Sequence, residues 1–247
     1  MKQNIYDNET FYTGYKELRD KEAGLNEVLE IPAFRSLLPD LAGKVVLDLG
    51  CGFGKASKWY ASQAAKRIVA VDISTKMIQR AKTEFSDDKI EYICTPMEEM
   101  NFAKDEFDLI LSSLAFHYVK DYKALIAKIS TWLKPGGCLI FSQEHPIVNA
   151  KKVSEGWFMN EAGQKLHWIL DNYKEEGKRE QHWFVDGVIK YHRTIETVVN
   201  TLIDNGLAIQ TFLEPSATKE AEAENAILLQ ERRRPSFLMI RAVKVPI

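Results

Sequence analysis

Short apolar runs alternate with helix-like segments through the middle of the chain. Between the runs, apolar positions recur at helical spacing. Alternation of this kind predicts an α/β fold with a parallel sheet, helices on both faces and right-handed crossovers. The strand-length runs lie at 44–49, 68–72, 90–94, 107–112 and 138–142.

Two stretches depart from this rhythm. Residues 1–43 carry aromatic and charged side chains at helical spacing, which predicts a helical preface. Residues 145–190 contain three of the five tryptophans and little helical period, and we interpret them as an inserted cap. Within the cap, Asp186 and Gly187 stand between apolar runs, a signal of a hairpin turn.

The alternation resumes after the cap. It predicts a helix at about 194–205, a strand at 207–213, a second helix at 217–228 and a last strand at 237–243. We therefore interpret residues 1–247 as one domain with a preface and an insertion.

Charge and composition narrow the classes of function. The chain has 33 Lys and Arg against 35 Asp and Glu, a formal net charge of −2, which disfavours nucleic-acid binding through a basic face. No apolar run approaches the length of a membrane span, so we expect a cytoplasmic protein. Cys51, Cys94 and Cys138 have no metal-ligand spacing; we interpret them as reduced, buried thiols and expect no metal site.

A glycine-rich turn joins the first strand to the next helix. Gly50, Gly52 and Gly54 are spaced so that a ligand can approach the backbone closely. Asp72 ends the second strand, where a carboxylate can accept hydrogen bonds from both ribose hydroxyls. Together they predict a nucleoside site at the carboxyl edge of the sheet.

The glycine spacing also bears on which nucleoside is bound. A dinucleotide fingerprint needs a third glycine where this chain has Lys55 or Ser57. A nicotinamide-dependent oxidoreductase therefore remains an alternative, although the chain lacks the third glycine of that fingerprint.

The motif that spans Asp48, Gly50, Gly52 and Gly54 resembles motif I of class I S-adenosylmethionine-dependent methyltransferases. The resemblance extends through Asp72, the fourth strand at 107–110 and the turn at 133–137, and covers about residues 43–143. It implies a Rossmann-like seven-stranded sheet of order 3-2-1-4-5-7-6 whose last strand, here 237–243, is antiparallel. The stretches 141–147, 191–194 and 232–238 resemble the ubiquinone/menaquinone-biosynthesis-like small-molecule methyltransferases.

The resemblance implies S-adenosyl-L-methionine as the cofactor. Pro96 stands where the family usually has an aspartate for the adenine amino group, so a group near Met97 or Glu98 is expected to serve the adenine. The implied cofactor residues are Asp48, Gly50, Cys51, Gly52, Gly54, Asp72, Ile73, Met97, Glu98 and Ser113.

The methyl acceptor is expected beyond the fourth and fifth strands, under the cap. All five histidines lie between 117 and 192, which suggests that the second half of the chain supplies the acceptor site. The predicted catalytic residues are His145, the favoured one, with His117 and His192. The predicted acceptor-binding residues are Glu144, Tyr191, Arg193 and Trp168.

The sequence thus predicts a methyltransferase that moves a methyl group to a small molecule by in-line displacement. Replacing His145 by alanine is expected to lower turnover more than cofactor affinity. The alternatives are a nicotinamide-dependent oxidoreductase and a protein that binds S-adenosylmethionine without catalysis.

Overall fold

The computed structural model describes residues 2–21, 24–152 and 156–245, apart from the side chains of 224 and 226. Within these ranges no helix is both long and apolar enough to cross a membrane. The strands in chain order are β1 (Val45–Leu49), β2 (Arg67–Asp72), β3 (Ile90–Cys94), β4 (Phe107–Ser112), β5 (Leu133–Glu144), β6 (Trp157–Met159), β7 (Lys165–Trp168), β8 (Gly177–Trp183), β9 (Val185–His192), β10 (Leu207–Leu213) and β11 (Phe237–Lys244).

Seven of these strands form one sheet of order β10-β11-β5-β4-β1-β2-β3. Strands β1 to β5 pair in parallel, whereas β11 is antiparallel to both β5 and β10. In the central register, Leu47 lies opposite Val69 on one side and Ile110 on the other. The predicted order and the antiparallel last strand are confirmed.

Helices cover both faces of the sheet. They are α1 (Glu9–Asp20), α2 (Ile31–Ser36), α3 (Lys55–Ser62), α4 (Thr75–Glu84), α5 (Tyr122–Trp132), α6 (Pro146–Asn149), α7 (Ile195–Asp204) and α8 (Lys219–Glu224). A π-helical turn, Asn26–Glu30, precedes α2. Side chains cap the N-termini of several of these helices: Ser74 accepts a hydrogen bond from Met77 N, and Thr194 accepts one from Thr197 N.

Each face of the sheet packs against its own apolar cluster. Alternate strand residues such as Leu47 and Leu49 pack with α5 and α7, whereas Val46 and Ile68 pack with residues of α2, α3 and α4. An ionisable residue on the second face is Asp48, which is 2% exposed. A buried carboxylate in the centre of the sheet costs stability unless it has partners, which points to a role in the site.

Three predictions of detail are wrong. The β8–β9 hairpin turns at Phe184, whose φ is 58°, so Asp186 and Gly187 lie inside β9. The helix predicted at 217–228 is interrupted: α8 ends at Glu224 and a 3-10 helix, Ala226–Arg232, follows. Of the three cysteines, Cys94 is exposed, because its side chain lies on the edge strand β3.

Candidate functional site

The glycine loop between β1 and α3 has backbone angles that favour glycine. Gly50, Gly52 and Gly54 have φ of 81°, 54° and 82°. A Cβ on Gly50 would lie 2.5 Å from the Cβ of Ala115. A Cβ on Gly52 would meet no described atom within 4 Å. The loop is therefore packed tightly at Gly50 and open at Gly52, as a ligand-approach site requires.

The N–H groups of this loop are already used inside the protein. Gly50 N and Cys51 N donate to Val71 O, and Gly54 N donates to Cys51 O. Gly52 N donates to Asp72 Oδ2 at 2.9 Å. A loop that binds pyrophosphate needs free N–H groups aimed at the ligand. These four donors are engaged elsewhere, which argues against a dinucleotide and fits a nucleoside without phosphates.

Two carboxylates lie below and beside the loop, of which Asp48 is buried and Asp72 is partly buried. Asp72 accepts from Gly52 N and, through Oδ1, from Ser74 N. Asp48 accepts from Ser57 Oγ at 2.6 Å. Burial raises the pKa of Asp72 to about 6 and that of Asp48 to about 7. Both carboxyl groups thus lie where hydroxyl donors or a cation would stabilise their charged form.

Of the other predicted cofactor residues, Met97 contacts the loop. The methyl group of Met97 would be 3.4 Å from a Cβ on Gly50. Glu98 is 3.7 Å from Lys2 Nζ, and its carbonyl accepts from Lys128 Nζ. Ser113 follows β4 on the opposite side of the loop from Asp72.

A short N-terminal segment crosses this edge of the sheet. We call residues 2–7 the N-terminal strap. Asn4 Nδ2 donates to Ile73 O at 3.3 Å, beside Asp72. Asp7 accepts from Ser74 Oγ at 2.5 Å and from Lys76 N at 3.1 Å, at the start of α4. The strap therefore lies over the predicted ribose end of the site.

The strap also contacts the cap. Gln3 Nε2 donates to Gly187 O at 2.7 Å, and Gln3 Oε1 accepts from Ile189 N at 2.8 Å. These two bonds tie the strap to β9. Gln3 bonds to β9, and Asn4 and Asp7 bond next to Asp72, so the strap connects the β8–β9 hairpin to the cofactor edge of the sheet.

Aromatic side chains form a wall between strap, α1 and the hairpin. Tyr6 packs edge-to-face on Tyr15 and Tyr118, with ring centroids 5.1 and 6.0 Å away. Tyr15 lies 5.9 Å from Trp183 and 5.7 Å from Phe53 of the glycine loop. We call these five residues the aromatic wall. Its rings come from the strap, from α1, from the glycine loop, from the turn after β4 and from the end of β8.

A polar cluster meets the aromatic wall at the ends of β4 and β5. Glu144 Oε1 accepts from Lys190 Nζ at 2.5 Å, and Glu144 Oε2 is buried without a hydrogen-bond partner among the described residues. His117 Nδ1 accepts from Glu144 N at 3.4 Å. Lys190 Nζ also lies 5.4 Å from the Trp183 ring centre. We call His117, Glu144 and Lys190 the polar cluster.

Burial and charge set the protonation of this cluster. Burial lowers the pKa of His117 to about 4, with neighbouring Lys190 and Arg193 acting in the same direction. The pKa of Glu144 is below its ordinary value because Lys190 and His117 outweigh the effect of burial. At neutral pH the His117 imidazole is therefore neutral and Glu144 is a carboxylate.

The other two predicted histidines are engaged elsewhere. His145 Nδ1 accepts from Ile147 N at the start of α6, and its Nε2 lies 2.7 Å from Glu214 Oε1. His192 Nε2 donates to Tyr173 O at 2.8 Å, whereas its buried Nδ1 has no hydrogen-bond partner within the described residues. These contacts give both side chains a structural explanation, and their catalytic roles stay predictions.

The predicted acceptor residues are divided by the structure. Arg193 donates to the carbonyl oxygens of Phe116, Val119 and Lys120, so it holds the turn that carries His117. Alternation along β9 puts Tyr191 on the opposite face from Lys190. Trp168 Nε1 donates to Ile147 O at 3.3 Å and anchors the β6–β7 hairpin. Glu144 is the one of the four that belongs to the polar cluster.

Replacing His145 by alanine tests its structural explanation. The change removes a helix cap and leaves a void where the fully buried ring was, so we expect the free energy of unfolding to fall by about 2 kcal/mol. Chemical denaturation measures the loss. His145→Asn, which can still accept from Ile147 N, should recover part of it. Unchanged stability with a large loss of turnover would instead support the predicted catalytic role.

Sequence reasoning missed two charged residues at this edge. Glu30, of the π-helical turn, is fully buried, and its Oε1 accepts from Ser142 Oγ at 2.5 Å and Ser113 Oγ at 2.9 Å. Lys190 is 4% exposed. Neither has a local signal: a glutamate before a helix and a lysine in an alternating strand are both typical of solvent-exposed positions.

Three comparisons with known proteins agree with this geometry. Residues 47–141 match a family model described as a methyltransferase domain. An uncharacterized protein of Haemophilus influenzae is 36% identical over 250 residues, which cover 99% of this chain and 98% of that protein. A solved S-adenosylmethionine-dependent methyltransferase from Mesorhizobium loti is 36% identical, has a TM-score of 0.82 and covers 90% of this chain and 99% of its own.

A further match covers less than half of the chain. A ubiquinone biosynthesis O-methyltransferase of Bradyrhizobium is 35% identical over 104 residues, which cover 41% of this chain and 40% of that enzyme. Family and geometry decide between the alternatives of an oxidoreductase and a methyltransferase. The open position at Gly52, the carboxylate of Asp72 and the engaged loop N–H groups fit S-adenosylmethionine. The chain belongs to the S-adenosylmethionine-dependent methyltransferases.

Proposed function

We propose that this methyltransferase acts on a small-molecule acceptor that binds against the polar cluster. The observation that carries the proposal is the buried, unpartnered Oε2 of Glu144 beside the neutral ring of His117. Buried polar atoms almost always have partners, so an unpaired carboxylate oxygen at this edge predicts a ligand donor.

The hydrogen bonds indicate which groups the acceptor offers. Because Nδ1 of the neutral His117 ring accepts from Glu144 N, its proton lies on Nε2, which is therefore a donor. Glu144 Oε2 is an acceptor. A hydroxyl group, or a ring N–H beside a carbonyl, would satisfy both. We therefore propose that His117 and Glu144 orient the atom that receives the methyl group.

The surroundings support an acceptor of limited size. Two residues of the aromatic wall border the polar cluster: the Tyr118 ring lies 4.3 Å from the His117 ring, and Trp183 lies 5.4 Å from Lys190 Nζ. Flat apolar surfaces of this kind suit a planar molecule. The partial match to a ubiquinone biosynthesis O-methyltransferase also supports a small acceptor.

The chemistry asks little of the protein beyond alignment. When bound, S-adenosylmethionine supplies an electrophilic methyl group on a sulfonium. The chain holds the nucleoside at Asp72 and excludes water with the strap and the aromatic wall. Glu144 Oε2 accepts the hydrogen of the incoming hydroxyl or amine, and Lys190 keeps that carboxylate charged.

A metabolite screen with a variant pair tests the proposal. Release of S-adenosylhomocysteine identifies the acceptor, after which Glu144→Gln is expected to lower kcat/KM for the acceptor by about 30-fold or more, the effect of losing a buried charged hydrogen bond. The affinity of Glu144→Gln for S-adenosylhomocysteine should stay within about twofold of the wild-type affinity. Glu91→Gln, at a half-exposed carboxylate that pairs with Arg67 outside the cluster, is the matched control.

Two results would contradict the proposal. One is cofactor binding without turnover of any hydroxyl, amine or thiol compound in the screen, the behaviour of a non-catalytic binding protein. The other is an equal change of kcat/KM in Glu144→Gln and Glu91→Gln, which would indicate that the polar cluster does not contact the acceptor.

A further inference from the structure

Arg234 lies beside the end of β5, in the segment that leads into β11. Its Nη1 donates to Ser236 Oγ at 2.8 Å. Ser236 O in turn accepts from His145 N at 2.8 Å, and the next residue, Phe237, pairs with Glu144 in the sheet. These contacts hold the backbone that carries Arg234 next to the strand end that carries Glu144.

One edge of the Arg234 guanidinium has no partner among the described residues. Its Nε is buried and unbonded, and its Nη2 has no hydrogen bond either. Glu231 does not fill this edge, because its two carboxylate oxygens accept from Ser236 N and Ser236 Oγ. The Nε and Nη2 hydrogens point in parallel, which is the geometry that binds both oxygens of a carboxylate. A buried donor without a partner is costly, so this edge predicts an anionic ligand.

Trp168 contacts this guanidinium and a second basic side chain. The centre of its ring lies 4.5 Å from Arg234 Cζ and 5.5 Å from Lys151 Nζ. Trp168 is itself fixed, since its Nε1 donates to Ile147 O of α6. Cation–π attraction orients both side chains on the ring, whereas their like charges repel each other. An anion bound beside the ring would offset that repulsion.

The same two basic side chains lie within electrostatic reach of Glu144. Burial lowers the pKa of Arg234, and the carboxylates of Glu231 and Glu144 act in the opposite direction. Burial also lowers the pKa of Lys151, with Arg234 acting in the same direction and Glu144 in the opposite one. Glu144 already accepts from Lys190. The end of β5 therefore has more basic side chains than the pair of Glu144 and Lys190 requires.

We propose that Arg234 and Lys151 bind a carboxylate group of the methyl acceptor. Arg234 donates to its two oxygens through Nε and Nη2, and Trp168 holds the guanidinium in place. The inference rests on the proposed function and adds the substrate class: a small, flat molecule that has an acidic group in addition to the hydroxyl or amine at Glu144. It gives the partly buried Arg234 a role, although a run of three arginines is typical of a solvent-exposed segment.

Matched acids and amides test the acidic group. The probes are 3-hydroxybenzoate and 3-hydroxyphenylacetate, each with its carboxamide, which has nearly the same size and shape without the charge. Calorimetry with the protein saturated by S-adenosylhomocysteine measures their binding. We expect at least one acid to bind about tenfold or more tightly than its amide, the effect of a charged, two-point hydrogen bond.

Variants of the arginine run assign the preference to one side chain. Arg234→Gln should weaken the acid about tenfold or more and leave the amide within about twofold, because both the charge and the fork are lost. Arg234→Lys retains the charge without the fork and should recover part of the loss. Arg232→Gln, at a half-exposed arginine that pairs with Glu222, is the matched control and should keep the wild-type preference. Tm and the affinity for S-adenosylhomocysteine check that each variant folds.

The outcomes distinguish this proposal from the proposed function. Equal affinities for acids and amides, binding of neither acid, or an equal loss of acid and amide in Arg234→Gln would overturn the carboxylate site. A preference for the acid that Arg234→Gln abolishes, together with unchanged turnover in Glu144→Gln, would support the carboxylate site and contradict the role of the polar cluster.

Discussion

Asp72→Ala should lower the affinity for S-adenosylhomocysteine by about 100-fold, because two ribose hydroxyls lose a carboxylate acceptor worth about 3 kcal/mol. The same carboxylate accepts from Gly52 N and Ser74 N. Its removal therefore also loosens the glycine loop and the start of α4. Calorimetric titration of the purified variant measures the change directly.

Two further variants separate these effects. Asp72→Asn retains one oxygen for a backbone donor and should lose less affinity than Asp72→Ala. Asp87→Asn removes a carboxylate that pairs with Lys58 outside the loop and should have wild-type affinity. Wild-type affinity in Asp72→Ala would refute the assignment of the nucleoside site.

Cofactor affinity should also depend steeply on pH. In the free protein, burial raises the pKa of Asp48 to about 7 and that of Asp72 to about 6. An ammonium group and hydroxyl donors favour the charged carboxylates, so binding releases the protons that these groups hold in acid. From pH 8 to pH 5 the affinity should fall by up to about 1000-fold, roughly 100-fold from Asp48 and tenfold from Asp72.

The stability of the free protein should change with pH in the opposite direction from the cofactor affinity. The folded pKa of Asp48 lies above its ordinary value of 3.8, so the folded state holds the proton more tightly than the unfolded state. Stability without cofactor should therefore decrease as pH rises from about 4 to about 7. Cofactor titrations at several pH values measure the trend in Kd, and chemical denaturation at the same pH values measures the trend in stability. Asp48→Asn is the comparison in both. A pH-independent Kd would contradict the prediction.

The cofactor half could be predicted from the sequence because its signals are local. Gly50, Gly52 and Gly54 report backbone angles, and Asp72 follows from the end of its own strand. The strand order came from the family resemblance, which extends over five strands in register. Helix starts such as Ser74 were also visible, because a cap is made within four residues.

The acceptor half could not be predicted to the same depth, since its chemistry depends on distant contacts. Glu144 meets Lys190 across 46 residues, and Glu30 meets Ser142 across 112. Histidine position alone did not separate His117, which lies in the polar cluster, from His145, whose ring caps α6 and contacts Glu214. The hairpin turns at Phe184, where Trp183 pairs with Val185, and not at the predicted Asp-Gly position.

The central claim is that the cofactor lies across the glycine loop with its sulfur facing the polar cluster. A crystal structure with bound S-adenosylhomocysteine tests it most directly. The account predicts ribose hydroxyls within hydrogen-bond distance of Asp72 and the sulfur directed toward His117 and Glu144. A nucleoside bound away from Asp72, or a sulfur that faces away from this cluster, would contradict it.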